Sequence, residues 1–190
     1  MVAIAITLLV LPLVDAASAL GTGGVGPFLD TNRDRLFAFA LSFAVIGSFW
    51  WGHHRMFEKV KGYNAVLAWG LFIWLVSIVF LPFPTELLGS ARSNNVGAHA
   101  IYIGTMLVTA IGALVQQWAI VKWPELQDVA HRGEMTIDRA LILTVLMGAS
   151  LVVVVAAPAV GLWSLLGLGL SRPIEHLLAV RRTQRAHTGR

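Results

Sequence analysis

Histidine has the widest chemical repertoire of the residues here, because a neutral imidazole binds metals and transfers protons near neutral pH. His53 and His54 are adjacent, and His176 lies far along the chain. The chain has no H-E-x-x-H motif, so this spacing does not specify a metal site. A membrane-embedded enzyme or proton-coupled carrier using these three histidines remains an alternative. We favour a structural role, in which His53 and His54 lie at a helix end and bond neighbouring helices.

Glycines cluster between Gly21 and Gly26 in the order G-T-G-G-V-G. These letters fit the dinucleotide motif G-x-G-x-x-G, but that site needs a preceding strand, and here a long apolar run precedes it. The segment also partly matches a carbonyl-lined potassium filter, yet it has neither the tyrosine nor a preceding pore helix. We expect a turn-rich loop over residues 21–35 instead.

Carboxylates inside a membrane usually mark function, because an ionisable group is costly to bury in hydrocarbon. Asp15 and Glu86 come nearest to this situation, and both lie close enough to the ends of apolar segments to be hydrated. The first apolar segment carries another pattern. Ile4, Leu8 and Leu11 recur at i, i+4 and i+7, so they share one helix face with Thr7.

Composition identifies the elements that must position these residues. The chain has 190 residues, of which 57% are hydrophobic and 13% charged, and its mean hydropathy is +0.75. These values predict a membrane protein. Cysteine is absent, which excludes disulfide and thiolate chemistry. The basic residues lie at helix ends and in the tail, so we expect membrane orientation rather than nucleic-acid binding.

Charges and turn residues delimit the apolar segments. We predict an all-α, polytopic bundle of six transmembrane helices forming a single domain over residues 1–190, with no carbonyl-lined P-loop filter and a basic tail at 181–190. The predicted spans are 1–20, 36–54, 64–88, 97–121, 137–157 and 160–180.

Positive charge near span ends favours the cytoplasmic side. Most of the 14 Lys and Arg residues fall on one set of alternate loops and the tail, whereas the other set has only Arg33, Arg35 and Arg92. We therefore expect both termini in the cytoplasm and a multi-pass protein of the cell membrane. Trp50, Trp51, Trp118 and Trp123 lie at the predicted cytoplasmic ends, where indole rings favour the headgroup level.

Three sequence blocks resemble a known family: AIAITLLVLPL, LSFAVIGSFWWGHHRMF and FLPFPTELLG, in this order within residues 3–90. They are similar to the bacterial branch of the transmembrane protein 175 family, the endosomal and lysosomal potassium channels. The resemblance implies a homotetramer of six-helix subunits that conducts potassium passively, with the bilayer and potassium ions as partners. It implies neither a cofactor, a metal site nor an enzymatic activity.

In that family the first helices surround the pore, and apolar side chains form its constriction. By position, the resemblance assigns this constriction to Ile4, Leu8 and Leu11, and potassium selectivity to Thr7. The family signature Arg-x-x-x-Phe-Ser-Asp, which precedes the first helix, is missing here. We expect either a start assigned downstream of the true one or a naturally shortened chain, and the second case leaves a non-conducting subunit as a further alternative.

Overall fold

A computed structural model describes residues 2–18, 24–90, 95–131 and 135–156. Within these ranges the regular elements are helices, together with one isolated bridge between Val60 and Gln127. The predicted all-α fold is confirmed. The α-helices are α1 (Val2–Ser18), α2 (Val25–Thr31), α3 (Arg33–Phe57), α4 (Ala65–Phe80), α5 (Pro82–Ser90), α6 (Val96–Lys122) and α7 (Asp138–Ala156).

Four helical segments are long and apolar enough to cross a membrane, which makes the chain a multi-pass membrane protein. They are α3, the combined segment Ala65–Ser90, α6 and α7, and the apolar helix Ile6–Ser18 is shorter. Each of the first five predicted spans thus coincides with a helix to within a few residues. The sixth, at 160–180, and the tail at 181–190 lie outside the described residues. The single-domain organisation stays a prediction.

The expected loop over residues 21–35 is partly wrong, because α2 occupies Val25–Thr31 and α3 begins at Arg33. Gly24 caps α2 in an extended conformation. Pro27 falls in the first turn, where its missing N–H has no helical partner to lose. The side-chain amide of Asn32 donates to the carbonyl oxygen of Phe28 at 3.0 Å, so α3 follows α2 almost directly.

The predicted span 64–88 is interrupted at Leu81, where α4 ends and α5 begins. Pro82 and Pro84 lack the N–H groups that would continue the helical hydrogen bonds across this point. Thr85 restores local order, because both its backbone N–H and its hydroxyl donate to the carbonyl oxygen of Leu81. As a result α5 packs against α3 and also contacts α1.

The centre of the bundle is the pair α4 and α6, whose backbones touch. A Cβ atom on Gly112 of α6 would lie 2.8 Å from the backbone nitrogen of Trp74 and 3.1 Å from the carbonyl oxygen of Gly70 on α4. Only glycine permits this approach. Trp74, Tyr102 and other fully buried side chains fill the core beside this crossing.

Buried hydroxyl groups link the helices. The hydroxyl of Ser42 on α3 lies 2.8 Å from that of Thr85 and 3.0 Å from that of Tyr102 on α6. Thr109 on α6 donates to the hydroxyl of Ser77 on α4 at 2.9 Å. These buried polar groups are therefore hydrogen-bonded, as an interior shielded from water requires.

The chain direction alternates, which gives the bundle two distinct ends. We call the end at which α3 and α6 finish and α4 and α7 start the basic end, because it carries Lys59, Lys61 and, at the last position of α6, Lys122. We call the opposite end, where α1 and α5 finish and α3 starts, the groove end. At the groove end α3 and α5 are in close contact, since a Cβ atom on Gly89 would lie 2.9 Å from the Cα atom of Arg35.

Candidate functional site

Helix α1 has one face against the bundle and one face turned away from it. Leu9 is 3% exposed and joins the hydrophobic core, and Ile6 packs against the same cluster. The neighbouring Leu8 and the next-turn Leu11 are 42% and 54% exposed. The apolar sequence of α1 thus supplies both a packing face and an apolar surface that no other described helix covers.

The predicted constriction residues that are described lie on this outward face. Thr7, Leu8 and Leu11 are all exposed. Ile4 is part of α1, but its side chain is not among those that the structure describes. At 100° per residue, Ile4, Thr7, Leu8 and Leu11 fall within about 100° of one another around the helix axis. One copy of the chain therefore presents an apolar stripe with a threonine hydroxyl beside it.

The stripe continues into an open groove of about 360 Å³ at the groove end. Leu8, Leu11 and Asp15 of α1 form one side of it, and Phe83 and Glu86 of α5 help to form the other. Asp15 is exposed and Glu86 is partly exposed on the surface of the chain, and their hydration in a membrane stays a prediction. The groove therefore joins an apolar surface to two acidic side chains.

Glu86 is tied to α3 by a small ionic network. Its Oε1 lies 3.6 Å from Nε of Arg35 and accepts a hydrogen bond from the hydroxyl of Ser90. Arg35 in turn donates from Nη2 to Ser90 at 3.3 Å. Arg35 and Glu86 are each 37% exposed, so this pair lies at the surface of the chain rather than in its core. The network fixes the position of Glu86 at the groove.

His53 is a packing residue in this structure. Its ring stacks on Trp74 of α4 with centroids 4.1 Å apart and on Phe57 at 4.5 Å. Its Nε2 lies 3.0 Å from Oε1 of Gln116 on α6. The amide of Gln116 donates to the carbonyl oxygens of Gly70 and Gly112, at 3.2 and 3.1 Å. His53 therefore bonds neighbouring helices, as the favoured interpretation expected.

The other histidines have separate surroundings. His54 stacks on Trp50 with centroids 5.4 Å apart and lies 3.3 Å from Oε1 of Glu58. His99 lies on α6 with Nδ1 2.8 Å from the carbonyl oxygen of Asn95. Among the described residues no three His, Asp or Glu side chains are grouped as metal ligands. His176 lies outside those residues.

Sequence reasoning did not identify the polar contacts along the inner face of α6. Tyr102, Thr105, Thr109 and Gln116 are buried there, together with Gly112. Their spacing of three or four residues within an apolar span is the signal that would have found them, since it places them on one helix face. On this face α6 packs against α4 and hydrogen-bonds to α3 through Tyr102 and Gln116.

Comparison with known proteins adds to this geometry. Residues 1–82 match the family model described as endosomal/lysosomal potassium channel TMEM175. This range contains α1, α2, α3 and α4, and therefore the whole outward stripe and the His53 contacts on α3 and α4.

Curated bacterial proteins named as potassium channels are similar over a longer range. One from Streptomyces collinus is 32% identical over 129 residues, which cover 66% of this chain and 62% of that protein. One from Chamaesiphon minutus is 39% identical over 114 residues, covering 57% of this chain and 55% of that protein. One from a Chryseobacterium species is 27% identical over 122 residues, covering 63% and 59%.

The chain thus spans between 55% and 62% of the length of these relatives. The resemblance seen in the three sequence blocks is confirmed within this range. Over residues 1–82, the chain is similar to the TMEM175 family of endosomal/lysosomal potassium channels.

Proposed function

We propose that this protein is a passive potassium channel of the bacterial cell membrane, in which four copies surround a pore lined by α1. The observation that carries the proposal is the asymmetry of α1: Leu9 is buried, whereas Leu8 and Leu11 are exposed on the face turned away from the bundle. The family match includes this helix. The proposal involves no chemical step, and therefore neither a cofactor nor catalytic residues.

The proposed constriction is formed by Ile4, Leu8 and Leu11 of each copy. A ring of aliphatic side chains excludes water from a narrow passage and so blocks ions, and it admits cations when the helices separate slightly. An apolar ring offers few ligands to a dehydrated ion. Selectivity then depends on the pore radius, on the hydration energy of the ion and on nearby oxygen atoms, of which the hydroxyl of Thr7 is our candidate.

The proposed orientation places the basic end in the cytoplasm. Lys59, Lys61 and Lys122 belong to this end, and positive residues favour the cytoplasmic side of a membrane. The groove end, with Asp15 and Glu86, then faces outward. In a tetramer the carboxylate of Asp15 would attract cations toward the pore, whereas Glu86 is already paired with Arg35.

The first experiment compares potassium flux into lipid vesicles that contain the wild-type chain, Leu8→Ser or Val10→Ser. Leu8 and Val10 have nearly the same exposure, 42% and 40%, on the same helix. They point about 160° apart around the helix axis, at 100° per residue. We expect Leu8→Ser to increase basal flux about tenfold, because a hydroxyl ring hydrates the constriction. Val10→Ser should leave the flux unchanged.

Thr7→Val tests selectivity separately, because valine keeps the shape of threonine and removes the hydroxyl. We expect a lower ratio of potassium to sodium flux with little change in total flux. Equal fluxes from Leu8→Ser, Val10→Ser and wild type would contradict the assignment of the pore to the outward face of α1. Absence of flux from the wild-type chain, with the protein shown to be inserted, would contradict channel function itself.

A further inference from the structure

Lys122, the last residue of α6, is held between two tryptophan rings at the basic end. Its Nζ lies 4.5 Å from the ring centroid of Trp118 and 4.9 Å from that of Trp123. The two rings stand nearly perpendicular to each other, at 80°, with centroids 5.6 Å apart. An ammonium group over an indole face is attracted by the ring quadrupole, so this arrangement fixes the position of the charge.

Arg55, in the last turn of α3, repeats the arrangement at the same end. Its guanidinium carbon lies 5.0 Å from the ring centroid of Trp51. Trp51 is 51% exposed and Trp118 is 41% exposed, so both rings stand on the outer surface of the bundle. Helices α3 and α6 thus each finish with a cation placed on an outward-facing indole.

Lys61 at the same end differs from these two cations because a carboxylate neutralises its charge. The Nζ of Lys61 forms an ion pair at 2.9 Å with Oδ2 of Asp128. Within the described parts of the chain, neither Arg55 nor Lys122 has a carboxylate within salt-bridge distance. A tryptophan face orients a cation but does not cancel its charge. Each therefore keeps its full charge for an anion outside the protein.

Indole rings favour the headgroup level of the bilayer, so an anion bound by these two cations must be one that is present at that level. We propose that the basic end binds anionic phospholipids, with the headgroup phosphate held by Lys122 between Trp118 and Trp123, and a second headgroup held by Arg55 beside Trp51. The indole rings contact the upper acyl chains while the cations bind phosphate oxygens. This proposal is independent of the proposed channel function.

Native mass spectrometry of the purified full chain, titrated with phosphatidylglycerol or with phosphatidylcholine of the same acyl chains, tests the proposal. We expect Lys122→Gln to weaken binding of phosphatidylglycerol about fivefold, the usual contribution of one basic residue at an anionic surface. Binding of phosphatidylcholine should not change. Lys122→Arg should keep wild-type affinity, because it restores the charge over the same rings.

Lys61→Gln is the matched control. It removes the same charge at the same end, but from a lysine that Asp128 already neutralises, so phosphatidylglycerol affinity should stay at the wild-type level. Trp118→Leu keeps the charge of Lys122 and removes one ring, and we expect about a threefold loss.

Equal losses from Lys122→Gln and Lys61→Gln would overturn the proposal in favour of unspecific attraction by net charge. Unchanged affinity in Lys122→Gln would overturn it as well. Soluble glycerol phosphate, added at the concentration of the lipid, should not compete. If it displaced phosphatidylglycerol, the site would be one for free phosphate, and the assignment to lipid would be wrong.

Discussion

Helix α1 and the pair α4 and α6 are both apolar, yet they use their side chains in opposite ways. In the pair, glycines bring the backbones into contact, and Gln116 bonds to α3 and α4 from within the core. In α1, Leu9 alone has a buried side chain among the residues from Ile6 to Ser18. One region is completed within a single chain, whereas the other leaves most of its surface uncovered.

This difference shows that hydrophobicity alone does not distinguish a scaffold from a functional surface in a membrane protein. Lipid tails are as apolar as leucine, so helices associate through close packing and hydrogen bonds rather than through the hydrophobic effect. The pair α4 and α6 has both of these features. The outward face of α1, with Leu8 and Leu11, is not packed against another described helix and is therefore available to line a pore or to contact other copies.

The largest expected effect comes from breaking the scaffold at its closest contact. Gly112→Ala places a Cβ atom 2.8 Å from the backbone nitrogen of Trp74, and backbone cannot move aside as a flexible side chain can. We expect the free energy of unfolding to fall by about 3 kcal/mol. Titration with SDS, followed by circular dichroism, measures this change.

Gly104→Ala on the same helix is the control for that substitution. A Cβ atom on Gly104 has no neighbour within 4 Å, so only the higher helix propensity of alanine remains. This variant should be as stable as wild type or slightly more stable. Similar losses in both variants would show that the contact between α4 and α6 does not limit stability.

A smaller effect should separate the two faces of α1. Leu9→Ala removes a buried side chain and should lower the free energy of unfolding by about 2 kcal/mol, whereas Leu8→Ala should change it by less than about 0.5 kcal/mol. The same SDS titration compares the two neighbours. A large loss from Leu8→Ala would mean that the outward face of α1 packs against protein as tightly as the face that carries Leu9.

The smallest effect concerns the polar contacts of α6. Gln116→Leu keeps the side-chain volume but leaves His53 without its hydrogen-bond partner, and we expect a loss of about 1 kcal/mol. Gln117→Leu is the control, because the side chain of Gln117 bonds to the carbonyl oxygen of Thr136 in an exposed position. Gln117→Leu should lower the free energy of unfolding by less than Gln116→Leu does. If the two variants were equally stable, the hydrogen bond between Gln116 and His53 would not contribute to the stability of the bundle.

Much of the fold could be predicted from sequence because a membrane span needs a long apolar run, and charges or turn residues end it. The short helix at residues 25–31 could not be predicted, since Gly24 and Pro27 are typical of turns and also suit a helix start. The break at Leu81 was not predicted, although Pro82 and Pro84 account for it. The contacts of α5 with α1 and α3 depend on tertiary packing.

For the candidate site, the sequence predicted a shared helix face, and the role of its residues stays a prediction. Periodicity placed Thr7, Leu8 and Leu11 on one face, and the structure finds them exposed. Periodicity could not say whether this face points inward or outward, because both faces of α1 are apolar. The partner of His53 could not be predicted either, since Gln116 is 63 residues away and is brought near only by the folded arrangement of α3, α4 and α6.

The lengths of the helices have a consequence for the host membrane. Helix α6 has 27 residues and is therefore about 40 Å long, whereas the hydrocarbon core of a typical bilayer is about 30 Å thick. The excess is accommodated by tilting or by projection into the headgroups. Because α6 and α4 are locked together at Gly112, both must tilt as one body. Bilayer thickness thus acts on the whole scaffold at once, and the proposed potassium flux should depend on the acyl chain length of the vesicles in which it is measured.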